Sequence, residues 1–170
     1  MDIMEALLTR RSIRKYTGEP VSTEQVEQIL RAAMYAPTAA DQQTWRFVVV
    51  DDREKLKHIP EILRYGAMAA DSAVSILVCA DPEAEKGTQG YLPQDAGAAC
   101  QNMLLAAHGL GLGAVWCGVH PRADREQKFR EFLNIPEHII PMALICIGHP
   151  DQQVKQPDRF DSGKIHYNGW

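Results

Sequence analysis

Gly109-Leu110-Gly111-Leu112-Gly113 is the stretch on which the fold turns. Alternating glycines of this kind invite a dinucleotide-binding reading. That fingerprint needs a strand first, then the glycines, then a helix whose N-terminus faces a pyrophosphate. Here the order is the reverse. Upstream, residues 94–109 carry Ala96, Ala98, Ala99, Met103, Leu104, Leu105, Ala106 and Ala107, which makes a helix apolar nearly all round. Downstream, Ala114-Val115-Trp116-Cys117-Gly118-Val119 reads as a strand. The glycines therefore close a helix and open a strand, with Gly109 as the expected C-cap, and the dinucleotide fold is excluded. The alanines let other backbones approach closely, as a buried central helix or a subunit interface would require. Gln101 and Asn102 on such a helix need partners.

Working outward, residues 122–133 predict an amphipathic helix with Phe129, Phe132 and Leu133 inward, stopped by Asn134-Ile135-Pro136. Pro141 to Ile147 reads as a buried strand closed by Gly148-His149-Pro150, and Ser72 to Ala80 as another ended by Asp81-Pro82. Between them, residues 82–93 lack a period and predict a surface loop. Arg46-Phe47-Val48-Val49-Val50 is a third strand. Asp51 and Asp52 open a helix that Pro60 is expected to kink or split. Ser22-Thr23-Glu24-Gln25 is a capping box, followed by Val26, Ile29, Leu30 and Ala33 at helical spacing up to Pro37. A short N-terminal helix has Asp2 as N-cap and Ile3, Leu7 and Leu8 on one face. About four strands with helices between most of them give a mixed α/β or α+β domain. Residues 151–170 are polar but carry Phe160, Ile165, Tyr167 and Trp170, which favours an arm packed on another surface over disorder.

At 170 residues the chain is one domain, or one domain with an arm, and 45% hydrophobic content is too high for disorder. No apolar run reaches the length of a membrane span, and the acidic start is not a signal peptide. Cys79, Cys100, Cys117 and Cys146 are scattered, with no Cys-x-x-Cys pair. They read as reduced thiols of a cytoplasmic protein. A net charge of −4 argues against bulk nucleic-acid binding.

Against that negative balance, Arg10-Arg11-Ser12-Ile13-Arg14-Lys15-Tyr16 is a local reversal of sign. Two readings stand level. Cations complement the C-terminal dipole of the short helix before them, or arginine forks around a serine form a site for a compact anion such as a phosphate. Residues 37–45, Pro-Thr-Ala-Ala-Asp-Gln-Gln-Thr-Trp, form a polar loop that lines a pocket or simply connects a helix to a strand. The six histidines show no metal-ligand spacing, and no serine elbow or phosphate-binding Gly-Lys loop is present. In its apolar strand Cys117 reads as buried and inert. So few acid–base or nucleophilic candidates suit an enzyme whose cofactor carries the chemistry, or a binding protein.

Taken together, these stretches resemble the nitroreductase family over essentially the whole chain. Arg10-Arg11-Ser12-Ile13-Arg14-Lys15-Tyr16 is similar to the family's opening Arg-Arg-Ser-x-Arg-x-Phe/Tyr. Ala36-Pro37-Thr38-Ala39-Ala40-Asp41-Gln42-Gln43-Thr44-Trp45-Arg46-Phe47 is similar to Ala-Pro-Ser-x-x-Asn-x-Gln-Pro-Trp-x-Phe. Gln101-Asn102 with Leu105, the 109–113 glycines and Trp116-Cys117-Gly118 resemble its Gln-Asn-x-x-Leu helix and Gly-Leu-Gly-x-x-x-Trp-x-Gly strand.

The resemblance implies an α+β, three-layer fold: a central, mostly antiparallel sheet flanked by helices, in an intertwined homodimer. Residues 1–150 would form the FMN-binding domain and 151–170 an arm on the partner. FMN would lie in the subunit interface, with Arg10, Arg11, Ser12 and Arg14 holding its phosphate and part of the ring's polar edge. Pro37, Thr38 and Ala39 would reach it from the partner, with Asp41 and Gln43 nearby. Cys117 and Gly118 would approach the ring through backbone groups, and Arg159 would add a phosphate-binding cation. No metal is implied. The implied activity takes hydride from NADH or NADPH onto the flavin and passes electrons to a nitroaromatic, quinone or similar acceptor. A reductive dehalogenase, a flavin-destroying enzyme and a non-catalytic redox sensor are the alternatives. Asp41 stands where the family has Asn, and Thr44 where it has Pro; an ionised Asp accepts hydrogen bonds but cannot donate them.

Overall fold

The computed structural model describes residues 1–87 and 89–170. Four strands, β1 (Trp45–Val50), β2 (Val74–Ala80), β3 (Gly113–Gly118) and β4 (Ile140–Gly148), form one sheet in the order β1-β2-β4-β3. Every neighbouring pair is antiparallel. The two central strands, β2 and β4, have apolar matter on both faces, which is why their sequences run apolar without alternating.

The period of two sorts their side chains into two cores. Val74, Ile76, Val78, Ile145 and Ile147 pack with helices α2 (Thr23–Met34) and α4 (Leu92–Gly109). Leu77, Cys79, Leu144 and Cys146 pack on the other side with α3 (Arg53–Ile62) and α5 (Ala123–Leu133). The three-layer α+β arrangement implied by the sequence is therefore observed. Ala96, Ala99 and Ala107 of α4 are buried against α2 and the sheet, with Ala98 and Ala106 half-buried beside them, and Asn102 Nδ2 donates to the Ala32 carbonyl at 2.9 Å.

The local signals hold where they rest on capping chemistry. Ser22 accepts from the Gln25 N–H while the Gln25 side chain accepts from the Ser22 N–H, the full capping box. Asp2 accepts from the Glu5 N–H at 2.9 Å and starts α1 (Ile3–Thr9). Three details differ from the sequence reading. First, α3 runs as a single helix through Pro60, which sits in its last turn, where a missing N–H costs one bond rather than a break. Second, the glycine that ends α4 is Gly111, not Gly109. Gly111 sits at φ +77°, its N–H bonds the His108 carbonyl, and the Leu112 N–H bonds the Ala107 carbonyl at 2.8 Å. That is a Schellman closure with Gly109 as the last helical residue. Third, the apolar side of α1 is not covered by this chain's own core. Only Ala6 is buried, while Ile3, Leu7 and Leu8 are 66%, 45% and 66% exposed.

The basic N-terminal stretch is fixed along the outer edge of β3. Ser12 pairs with Ala114 in parallel sense, the Ile13 N–H bonds the Ala114 carbonyl at 3.0 Å, and Tyr16 pairs with Pro150. The buried Tyr16 hydroxyl bonds the carbonyls of Ile13 (2.9 Å) and Cys146 (3.1 Å). Two glycines make this seat possible. A Cβ on Gly113 would stand 2.6 Å from Ile13 Cγ2, and one on Gly148 would stand 2.9 Å from the Tyr16 ring.

The last twenty residues hold one short turn, Ser162–Lys164, and their Phe160, Tyr167 and Trp170 are exposed. Their beginning runs beside the N-terminal stretch. The Asp151 N–H bonds the Lys15 carbonyl at 2.9 Å, and Gln152 Oε1 accepts from the Arg14 N–H at 2.7 Å.

Candidate active site

A cleft of about 220 Å³ opens beside the end of β3. Arg14, Cys117 and Gly118 line it together with Leu63, Tyr65, Met68, Val115, Trp116 and Arg125. The β3 edge position explains the exposure of its end, since no further strand among the described residues covers Trp116 or Gly118. A Cβ on Gly118 would meet nothing within 4 Å, so a flat ligand can approach the backbone there. Arg125 Nη1 donates to the Gly118 carbonyl at 2.9 Å and holds this end of the strand from α5.

The basic stretch divides its labour. Arg11 takes the helix-end role, with Nη1 on the carbonyls of Leu8 (2.8 Å) and Arg10 (2.6 Å), the bonds a frayed helix terminus lacks. The guanidinium groups of Arg10, Arg14 and Arg159 have no hydrogen bond and no ion pair among the described residues. Partial burial lowers the Arg10 pKa, and Arg11 and then Arg159 add to the effect, so the tail does bring Arg159 towards Arg10. Uncompensated cations gathered in this way raise the local potential and attract an anion. His108 lies in the same field. Burial first, then Arg10, lower its pKa, while Glu5 pulls it upward. Thr9 Oγ1 gives its proton to the Glu5 carbonyl (2.7 Å), so the neutral His108 ring donates from Nε2 to Thr9 Oγ1 at 2.8 Å.

Pro37, Thr38, Ala39, Asp41 and Gln43 do not line this cleft; their loop lies elsewhere on the chain. Its shape is specific. Ala40, Asp41 and Gln43 adopt φ of 49°, 51° and 52°. Non-glycine residues enter that region at a cost and stay only when their surroundings hold them. Here Thr38 Oγ1 accepts from the Gln43 N–H, Asp41 Oδ1 accepts from Gln43 Nε2, and the buried Asp95 Oδ1 on α4 accepts from the Ala39 N–H, each at 3.0 Å. Asp41 thus finds its donor inside the loop, and Asp shares with Asn the tolerance of this backbone region. Thr44 is buried, and its Oγ1 has no partner among the described residues.

Asp95→Ala is expected to leave the Ala39 N–H unpaired and to destabilise the protein by about 1–3 kcal/mol, read as a lower urea midpoint. Asp95→Asn keeps an acceptor and is expected to retain most of the stability. Equal midpoints for wild type and Asp95→Ala would refute this anchoring role.

Leu63, Tyr65, Met68, Val115 and Arg125 are cleft residues that the sequence reading missed, and Trp116 was seen only as part of a motif. Leu63, Tyr65 and Met68 follow α3 in a segment without a motif, so no sequence signal marks them. Asp81, Glu83 and His138 place ligand atoms within 4.8 Å of one another. Asp81 is already paired with Arg46 at 2.8 Å and caps the Pro82–Ala84 turn, which accounts for its position. No helix among the described residues is long and apolar enough to cross a membrane.

Comparison with known proteins agrees with this arrangement. Residues 7–73 and 61–149 match the nitroreductase family. A protein of Methanothermobacter thermautotrophicus, described as a candidate NADH dehydrogenase/NAD(P)H nitroreductase, is 49% identical across the whole chain, which spans 88% of that protein. An FMN reductase [NAD(P)H] of Bacillus subtilis is 32% identical, over 92% of this chain and 69% of its own length. The solved structure of an FMN-dependent nitroreductase from Clostridium difficile superposes with a TM-score of 0.91 at 32% identity, covering 99% of this chain and 100% of that one. With its cation-edged cleft, three-layer frame and motifs in the same order, the chain belongs to the nitroreductase family.

Proposed function

We propose that the protein is an FMN-dependent oxidoreductase that uses NAD(P)H to reduce a nitroaromatic, quinone or similar electron-poor compound in a ping-pong sequence. The carrying observation is a set of guanidinium groups without a partner among the described residues: Arg14 lines the cleft with Cys117 and Gly118, and Arg10 and Arg159, outside its lining, lie close enough to each other to interact. The residues fit the cofactor: a phosphate monoester needs compact, fork-shaped cations, and a flat ring needs an open backbone wall. The family relatives named for FMN and NAD(P)H support the same reading.

Arg10, Ser12, Arg14 and Arg159 would hold the phosphate and polar edge of the cofactor. Arg11, though it holds the end of α1, would add charge beside them. Cys117 and Gly118 would present backbone to the ring. FMN, when bound, supplies hydride chemistry at its N5, accepting from NAD(P)H and passing two electrons onward. The chain's own groups orient the cofactor and exclude water; no protein acid or base is required.

A cleft of 220 Å³ is smaller than the ~300–1,000 Å³ of a typical small-molecule site, which suits a site shared between two chains. A second copy would supply Pro37, Thr38, Ala39, Asp41 and Gln43. The exposed apolar side of α1 and the aromatic residues of the 151–170 arm offer contact surface for a homodimer. Residues 1–150 then form the FMN domain and 151–170 the arm that reaches the partner. Four free, scattered cysteines suit a reducing, cytoplasmic setting.

The test is steady-state oxidation of NADH and NADPH by the FMN-loaded protein with varied nitroaromatic or quinone. Parallel double-reciprocal lines are expected. Intersecting lines would refute ping-pong, and bound FMN without turnover would indicate a redox sensor instead.

A further inference from the structure

The helix that leads into the basic stretch is weakly held by its own packing. α1 has seven residues, too few to be stable alone in water, and Ala6 is the only one of them that is buried. Among the described residues, one side-chain hydrogen bond ties α1 to another helix or to the sheet. His108 Nε2 donates to Thr9 Oγ1 at 2.8 Å. Thr9 gives its own proton to the Glu5 carbonyl, one turn back, at 2.7 Å, so a lone pair is left for the ring. Protonation of His108 would occupy Nδ1 and leave Nε2–H donating, so the bond survives in either charge state.

The two ends of this bond differ in rigidity. His108 lies in the last turn of α4, a helix of 18 residues packed into the core. Thr9 is the last residue of α1, and Arg10 follows it. The Arg10 N–H bonds the Ala6 carbonyl at 3.0 Å, but its guanidinium has no hydrogen bond or ion pair among the described residues. The next anchor along the chain is on β3, where Ser12 pairs with Ala114 and the Ile13 N–H bonds the Ala114 carbonyl. Arg10 and Arg11 therefore hang between two fixed points, Thr9 on α4 and Ser12–Ile13 on β3. Arg11 lines one small cavity together with Thr9 and His108, and Arg10 is close enough to His108 for its charge to be felt there.

We propose that His108 is a positioning residue of the anion site: by holding Thr9 it sets where the basic stretch begins and directs Arg10 at the phosphate of the cofactor. The identity of the anion rests on the FMN reading; the tether itself rests on the hydrogen bonds. His108 acts through Thr9. Without the tether, the end of α1 would have to be ordered when the anion binds, and that cost would fall on affinity. It would fall on the phosphate end alone, because the Gly118 end of β3 is held separately by Arg125.

The test titrates FMN, and riboflavin, which lacks the phosphate, into the flavin-free full-length protein by fluorescence. His108→Ala is expected to weaken FMN binding by roughly two- to tenfold, the worth of one hydrogen bond, and to leave riboflavin binding unchanged. His108→Gln, which keeps an N–H donor, should restore most of the FMN affinity. Thr9→Val should weaken FMN binding as His108→Ala does, and the double variant should be no weaker than either single one. In parallel, amide hydrogen exchange on the same flavin-free proteins should quicken over residues 3–13 in His108→Ala and return towards wild type in His108→Gln. Unchanged FMN affinity in His108→Ala, equal losses for FMN and riboflavin, or unchanged exchange over residues 3–13 overturns the proposal. Failure of the cofactor reading would show separately, as a wild-type protein that binds no FMN, and the exchange experiment would still decide whether His108 holds the stretch.

Discussion

Arg10→Ala combined with Arg14→Ala is expected to weaken FMN binding by roughly 10²–10⁴-fold while leaving the fold intact. Each charge-assisted hydrogen bond to an anion contributes about 1.5–3 kcal/mol, and two are removed. The fold should tolerate the change because neither guanidinium bonds another group among the described residues. Neighbouring Arg11 is different: it holds carbonyls at the end of α1, so its replacement would disturb the helix as well as the site. Arg10→Lys with Arg14→Lys should fall between wild type and the alanine pair, because lysine keeps the charge but loses the fork. Fluorescence titration with FMN at two salt concentrations would measure both effects. Unchanged retention in the alanine pair would remove the basic stretch from the site.

Gly113→Ala is expected to produce the second large effect, and on two readouts together. The added Cβ would stand 2.6 Å from Ile13 Cγ2 and 2.7 Å from Ile13 Cβ. Neither partner can yield cheaply. Gly113 is buried at the start of β3, paired with Gly148, and Ile13 is held by a backbone bond to Ala114. Overpacking of this kind costs about 1–3 kcal/mol, a fall in Tm of roughly 2–4 °C per kcal/mol at this chain size. Ile13 lies between Ser12 and Arg14, so the displaced stretch should also bind FMN less well. Gly113→Ala with Ile13→Gly removes the clash from the other side, since an alanine at 13 would keep the Cβ 2.7 Å away, and should recover part of both losses. A single variant with unaltered Tm would show that the N-terminal stretch is not fixed against β3 by this contact.

What was legible in the sequence was mainly local. The Ser22–Gln25 box and the Asp2 cap involve groups three residues apart, so spacing alone specifies them. The apolar runs of β2 and β4 announced strands covered on both faces, and the helix-then-strand order around residues 109–113 excluded the dinucleotide fold. Contacts between distant segments were harder to read. Tyr65 and Met68 reach the cleft because α3 places the following segment near the end of β3, and nothing in their own neighbourhood encodes that.

Cys117 shows the same limit. Its apolar neighbours imply burial, yet its strand lies at the sheet edge and ends in an exposed glycine, so it faces a cleft instead. The exposed Ile3, Leu7 and Leu8 are a third case. Periodicity identified an apolar face on α1 but not what covers it, and this chain's core does not. Gly111 took the turn expected of Gly109 because only the backbone dihedrals distinguish one glycine from another two residues away.

The most direct test of the central claim is the visible absorption spectrum of the purified protein, recorded before and after anaerobic addition of NADH or NADPH. A bound-flavin spectrum that bleaches with either nucleotide is the expected result, and it identifies the donor. A protein that remains colourless after incubation with excess FMN and desalting would contradict the claim.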